Sequence, residues 1–178
     1  MRRLTGGGAI HHIHELTFSI AIHQSHPLYR GEVQGSYERV HGLLIQAFEQ
    51  LGVKASLRGT SPLASDVEGS GMCFHKSTPL DIAWNGCKGV GSAQRRRAVR
   101  VLHHGSIKLN PSDLDTGVAG LREFQSELTP KTLAAHIREE FERSLALRFE
   151  TSEPSKAELR HTEERRAFFS SPEHLARR

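Results

Sequence analysis

The chain has little of several things, and each shortage removes a class of protein. It carries only two cysteines, Cys73 and Cys87, so no disulfide framework of the secreted kind can staple it. No run of apolar residues approaches membrane-spanning length, and Met1-Arg2-Arg3-Leu4 is not followed by an apolar signal core. The reading is a cytoplasmic protein with no membrane partner. Aromatic residues are 6% of the chain, too few to interleave with basic side chains as nucleic-acid surfaces do, so no nucleic-acid partner is expected. The formal charge of +4 draws on Arg95, Arg96, Arg97 and Arg100, a cluster that serves a phosphate ligand or a solvated face equally well. A metal site is not expected, because neither a C-x-x-C pair nor a regular histidine spacing is present. Apolar residues are 37%, below the usual globular share.

At 178 residues the expectation is one domain, 1–178, with a sheet-rich core over 1–110 and a helical part over 111–178. Residues 9–23 alternate and are rich in Ile, Phe and Thr, which predicts two short strands or one bent strand. From Gln34 to Leu51, Tyr37, Val40, Leu43, Leu44, Ala47, Phe48 and Leu51 recur at helical spacing, with Gly52 where a C-terminal cap belongs. Val53–Leu57 reads as a strand and 58–72 as a loop rich in Gly, Ser, Pro and Asp. Leu80–Trp84, then Asn85-Gly86, then Cys87 onward is a hairpin signal, because Asn and Gly tolerate positive φ, and Val99–Leu109 supplies the next strand. Thr129-Pro130 opens a helix running to about Leu147, and a second helix covers roughly Ser155–Phe169. Strands early and helices late favour an α+β domain over a parallel βαβ sheet.

The richest stretch is Cys87-Lys88-Gly89-Val90-Gly91-Ser92-Ala93-Gln94-Arg95-Arg96-Arg97, closed by Leu102-His103-His104-Gly105-Ser106-Ile107. Glycines let the main chain approach a ligand, a lysine supplies a movable point charge, and arginines supply fixed forks. Together they read as a site for an acylated or phosphorylated ligand. Ahead of it stand Arg2-Arg3-Leu4-Thr5-Gly6-Gly7-Gly8-Ala9-Ile10-His11-His12, Glu15-Leu16-Thr17-Phe18-Ser19, and Cys73-Phe74.

With these blocks in this order, the chain resembles the biotin/lipoate A/B protein ligase family, closest to its octanoyltransferases and lipoate-protein ligases A. The resemblance implies a mixed, largely antiparallel sheet flanked by helices, with helices at the C-terminal end. It also implies that the chain lacks the family's N-terminal part, since family members carry a substantial segment before the Arg-Arg pair. On that reading the sheet is short of strands and the product is weakened or inactive.

The implied activity is transfer of an octanoyl or lipoyl group onto a lysine of a lipoyl-carrier domain, through a thioester on Cys73, with Lys88 polarising the acyl carbonyl. His75 and Lys76 stand close enough in sequence to favour a Cys73 thiolate. Partners implied are the lipoyl domains of 2-oxoacid dehydrogenase subunits, the glycine cleavage H protein and, as donor, acyl carrier protein. The transferase needs no cofactor beyond the lipoate or octanoate it moves. The alternative, an ATP-dependent lipoate-protein ligase, needs ATP and magnesium, and a second alternative is an inactive member that at most binds carrier domains. Substrate-binding positions carried over from the motifs are Arg3, Thr5, Gly6, Gly7, Gly8, His12, Gly91, Ser92, Ala93, Gln94, His104 and Gly105. Cys87 reads as a small packing residue, and Ile13 stands where the family often has an Asp beside the histidine.

Overall fold

A computed structural model describes Arg3, Thr5 and residues 7–176. They fall into two compact units. One runs from Gly8 to Leu147. The other takes in the chain from Arg148 onward together with the described residues ahead of Gly8.

The larger unit is a five-stranded sheet with helices. Its strands are β1 (Glu15–His23), β2 (Ser56–Leu57), β3 (Ile82–Trp84), β4 (Cys87–Arg97) and β5 (Arg100–Lys108), in the order β1-β5-β4-β3-β2. Every strand pairing is antiparallel. The expected mixed character survives only as an isolated parallel bridge between Ala9 and Met72. The Asn85-Gly86 turn forms as predicted, with φ of 51° and 72°, and it joins β3 to β4. Ala98, at φ 50°, turns β4 into β5. Of the two short strands or one bent strand expected over residues 9–23, the structure has one strand, Glu15–His23, which starts after His14 turns the chain at φ 51°. The strand expected over Val53–Leu57 shrinks to Ser56–Leu57, which pairs only with the three-residue β3 at the sheet's edge.

Helix α1 (Val33–Glu49) lays its periodic apolar stripe on one face of the sheet. Val40, Leu44 and Phe48 pack with Ile82, Trp84, Val90, Val101 and Ile107 in a single core cluster, and Leu16, Phe18 and Ile20 of β1 close it on one side. Burying a side chain of this size contributes about 1.5–3 kcal/mol, so this layer holds the sheet flat against α1. Gly52 sits at φ 81° and hydrogen-bonds back to Glu49, as a helix-ending glycine should. Helix α2 (Pro130–Leu145) starts at Thr129, whose side chain accepts from the Thr132 N–H, and stops at Ala146, left-handed at φ 50°. It lends Leu133 and Phe141 to the same core.

The smaller unit contains α3 (Lys156–Ser170), capped by Ser155, and the short α4 (Pro172–Ala176), which the sequence reading did not anticipate. No residue of α3 is buried, in keeping with its charged composition. Phe168, Phe169 and His174 stack together, with Arg165 over the Phe168 ring. None of the described helices is long and apolar enough to cross a membrane.

Candidate active site

Strict alternation would put Lys88 and Gly91 on opposite faces of β4. The register forbids it: Ile82 pairs with Val90 while Ala83 pairs with Lys88, so Gly89 is an extra residue on β4 and the strand bulges there. The bulge swings Lys88 onto the face away from α1, the face that Gly91 occupies. A Cβ built on Gly91 would lie 3.0 Å from Lys88 Cε and 3.7 Å from Phe74 Cζ, so the glycine is what leaves room for both side chains.

Lys88 is buried, and its ammonium is fully engaged. It meets Asp81 Oδ2 at 2.9 Å and donates to the carbonyls of Cys73 at 3.1 Å and Lys76 at 2.8 Å. Two of its three donors thus span the short 3-10 turn Cys73–His75 and the Lys76 that ends it, and the third meets Asp81. Cys73 itself is half-buried. Its N–H donates to the Ala9 carbonyl at 2.8 Å, and the Ala9 N–H donates to Gly71 at 2.9 Å, so the segment after the glycine triplet runs directly beside the cysteine. A Cβ on Gly8 would collide with the Gly71 oxygen at 2.6 Å and the Cys73 nitrogen at 2.9 Å, which makes glycine a condition of that approach. His75, expected to help the Cys73 thiolate, hydrogen-bonds instead to Ser70 and the Thr116 carbonyl.

A second buried lysine, missed by the sequence reading, lies on the same face. Lys108 Nζ donates to the His11 carbonyl at 2.8 Å and to Glu15 at 3.0 Å and meets Asp115 at 2.9 Å. Phe74 is wedged between the two ammoniums, its centroid 5.5 Å from Lys88 Nζ and 4.9 Å from Lys108 Nζ. Glu15 then links this cluster to His12: Oε1 accepts from the His12 ring at 2.5 Å and from Thr17 at 2.8 Å, while Oε2 accepts from Ser106 and Lys108. Burial alone would raise the Glu15 carboxyl, but hydrogen bonds from Ser106, His12, Lys108 and Thr17 outweigh it and hold the carboxyl below its ordinary value.

Ser92 and Gln94 face the other way, toward α1. Gln94 bonds Ser36 and Arg96. Ser92 is the middle of a buried chain whose direction can be counted out. The Leu80 carbonyl only accepts, so His41 Nδ1–H donates to it at 2.6 Å, and His41 Nε2 must accept from Ser92 Oγ–H at 2.8 Å. The hydroxyl's one proton is then used, so His103 Nε2–H donates to Ser92 at 3.0 Å and His103 Nδ1 accepts from the Tyr29 hydroxyl at 3.2 Å. Burial, with smaller contributions from His41 and His104, pulls His103 down to about 3, and burial lowers His41 as well. Both shifts favour the neutral ring.

The remaining motif positions divide. Ala93 pairs with His104 across β4 and β5, and by alternation both lie on the Gly91 face. Gly105 belongs to the packing of the α1 face, where its Cβ would run into the Phe18 ring at 2.6 Å. Arg3, Thr5 and Gly7 belong to the smaller unit, and Gly6 lies outside the described residues. Cys87 packs against the core, and burial followed by Glu123 raises its thiol. Among the described residues no group of three or more His, Cys, Asp or Glu could hold a metal ion.

A half-buried cysteine whose backbone carbonyl is held by a clamped, buried ammonium is an arrangement suited to acyl transfer, and known proteins bear on which kind. The lipoyl protein ligase A/B catalytic domain matches residues 1–142. The octanoyltransferase LipM of Moorella thermoacetica is 36% identical over 116 residues, 64% of this chain and 42% of that protein. Its namesake from Brevibacillus brevis is 33% identical over 147 residues, 78% of this chain and 51% of that protein. The chain therefore spans about half the length of these curated relatives, or less. A Thermoplasma acidophilum structure described as a lipoate protein ligase with bound lipoic acid shares the fold, with a TM-score of 0.75 at 21% identity over 97% of this chain and 69% of that one. Gly8 beside the Cys73 turn, the Lys88 block and the sheet that carries them agree with that match, and the chain belongs to the lipoyl protein ligase A/B catalytic-domain family.

Proposed function

We propose that the protein is an acyltransferase of protein lipoylation, which takes an octanoyl or lipoyl group onto Cys73 as a thioester and passes it to a lysine of a lipoyl-carrier domain. The observation that carries this reading is the Lys88 clamp: a buried ammonium, paired with Asp81, that donates to the Cys73 carbonyl at 3.1 Å. The 36% identity to an octanoyltransferase supports the same class of reaction.

In the first half-reaction the Cys73 thiolate attacks the acyl carbonyl of an acyl-carrier thioester, the carrier's C–S bond breaks, and the carrier's sulfur leaves as a thiolate with that electron pair. Negative charge develops on the carbonyl oxygen, and Lys88 is the cation beside it. All three Lys88 donors are engaged without substrate, so the arriving oxygen takes the place of the Cys73 or Lys76 carbonyl. Phe74, held between two ammoniums, keeps the turn that carries Cys73 in place during that exchange. In the second half-reaction an amine of the lipoyl domain displaces Cys73. Acceptors of this kind are the lipoyl domains of 2-oxoacid dehydrogenases and the glycine cleavage H protein, with acyl carrier protein as donor. A thioester donor is already activated, so this route consumes no nucleotide.

The test supplies the protein with an isolated lipoyl domain and either octanoyl-acyl carrier protein or octanoate with ATP and magnesium. Octanoylation of the domain from the carrier protein alone is expected. Modification only in the presence of free acid, ATP and magnesium would replace this reading with a lipoate-protein ligase.

A further inference from the structure

We propose that Glu15 orients His12 as the base that takes the proton from the acceptor lysine in the amide-forming half of the transfer. The inference rests on the thioester reading above. An acceptor lysine arrives as an ammonium, and an ammonium is no nucleophile. Lys88 is poorly placed to relieve it of a proton, since its Nζ already donates to Asp81 and two carbonyls.

His12 is placed to do so. A carboxylate only accepts hydrogen bonds, so the ring nitrogen facing Glu15 Oε1, Nδ1, carries the proton and donates. In the neutral ring Nε2 is then the bare nitrogen. The His12 side chain is 54% exposed while that of Glu15 is 5% exposed, so the base lies open to an incoming chain and its anchor is sealed. The anchor is also saturated: each Glu15 oxygen takes two donors, Thr17 and His12 on one, Ser106 and Lys108 on the other. Asp115 and the His11 carbonyl fix Lys108 from its other sides. Backbone pairing holds this segment at the reaction centre, through Cys73 N–H to the Ala9 carbonyl at 2.8 Å and through Lys108, which bonds the His11 carbonyl and sits 4.9 Å from the Phe74 ring. The residue next to His12 is Ile13, which can orient nothing; the carboxylate comes from three residues on, brought back by the turn at His14.

The step balances without any added reagent. Nε2 takes one proton from the ammonium, the freed nitrogen pair forms the C–N bond, the C–S bond breaks, and its electron pair leaves on Cys73 Sγ. The second amine proton goes to that sulfur, and His12 releases the first to solvent. The products are an amide, a thiol and a proton.

Glu15→Gln makes a specific test. Lys108 and Ser106 both donate toward Oε2, so the amide oxygen of the variant stays on their side and its NH2 turns to His12. Nδ1 must then accept, and the ring proton moves to Nε2, the nitrogen that has to be bare. Three proteins are compared, wild type, Glu15→Gln and His12→Gln, each first loaded on Cys73 from octanoyl-acyl carrier protein and then mixed with lipoyl domain in a single turnover. All three should form the Cys73 thioester, while transfer to the domain slows about 100-fold or more in both variants, the scale of a lost general base. Ring-nitrogen NMR of His12 near pH 8 should show Nδ1–H in the wild type and Nε2–H in Glu15→Gln, a change that a merely structural Glu15 would not produce. The proposal is overturned if either variant transfers within about threefold of wild type or if the wild-type ring carries its proton on Nε2. A wild type that forms no Cys73 thioester removes the transferase reading itself, and the role of His12 with it.

Discussion

The Tyr29–His103–Ser92–His41 chain leads to a quantitative expectation about acid. His103 is wholly buried, and its ring is held near 3 against an ordinary value of 6.5. A folded pKa below the unfolded one means that the stability is present above 6.5 and drains away as pH falls through the window down to about 3, because only the unfolded chain takes up the proton there. Between pH 7 and pH 5 the unfolded ring goes from about one quarter to almost fully protonated while the folded ring stays neutral. The linkage integral over that interval is about 2 kcal/mol for His103 alone. His41 is shifted in the same direction and adds to the loss. Two kcal/mol is a large share of the roughly 5–15 kcal/mol that holds a domain together. The assay is urea denaturation at pH 7 and pH 5 of the wild type and of His103→Gln, whose amide can still donate to Ser92 and accept from Tyr29 but cannot titrate. The difference between the two pH slopes isolates His103 together with its coupling to His41 and His104. The wild type should lose about 2 kcal/mol more than the variant. Equal losses would refute the buried, neutral His103 and the directional chain built on it.

Two further outcomes follow from the geometry of the site. Lys88→Ala should slow Cys73 acylation about 100-fold or more, the scale of one lost oxyanion donor, in a single-turnover assay with octanoyl-acyl carrier protein; a variant within twofold of wild type would contradict the clamp's chemical role. Gly91→Ala places a methyl 3.0 Å from Lys88 Cε, so it should push the lysine off its partners and cut the acylation rate about tenfold or more, while circular dichroism shows the fold unchanged. An unaltered rate would mean that Lys88 has room to spare.

The parts of the fold that announce themselves locally were legible in the sequence. Asn85-Gly86 specifies its turn by positive φ, the Tyr37–Leu51 stripe specifies a helix, and Thr129-Pro130 and Ser155 specify helix starts. The candidate site was legible as separate blocks around Gly8, Cys73 and Lys88, but not in the geometry that joins them. Gly89 looks like any other motif glycine, so the bulge that turns Lys88 to the Gly91 face cannot be read from spacing. The same bulge separates Lys88 from Ser92 and Gln94, which adjoin it in the motif yet point to α1. Lys108 reads as a strand terminus, and only the tertiary fold shows it buried between Glu15, Asp115 and Phe74. Spacing alone does not pair Glu15 with His12, since a carboxylate three residues along an alternating segment belongs to the opposite face; the left-handed His14 cancels that alternation. A short apolar run such as Val53–Leu57 promises a strand, but β3 offers it only two partners.

The central claim is that Cys73 carries the acyl group. Intact-protein mass spectrometry after incubation with octanoyl-acyl carrier protein, followed by peptide mapping with and without hydroxylamine, tests it most directly. The account predicts a single octanoyl adduct on the peptide holding Cys73, removed by hydroxylamine and absent in Cys73→Ser. An adduct on the peptide holding Cys87, or octanoylation of a lipoyl domain by Cys73→Ser at the wild-type rate, would contradict it.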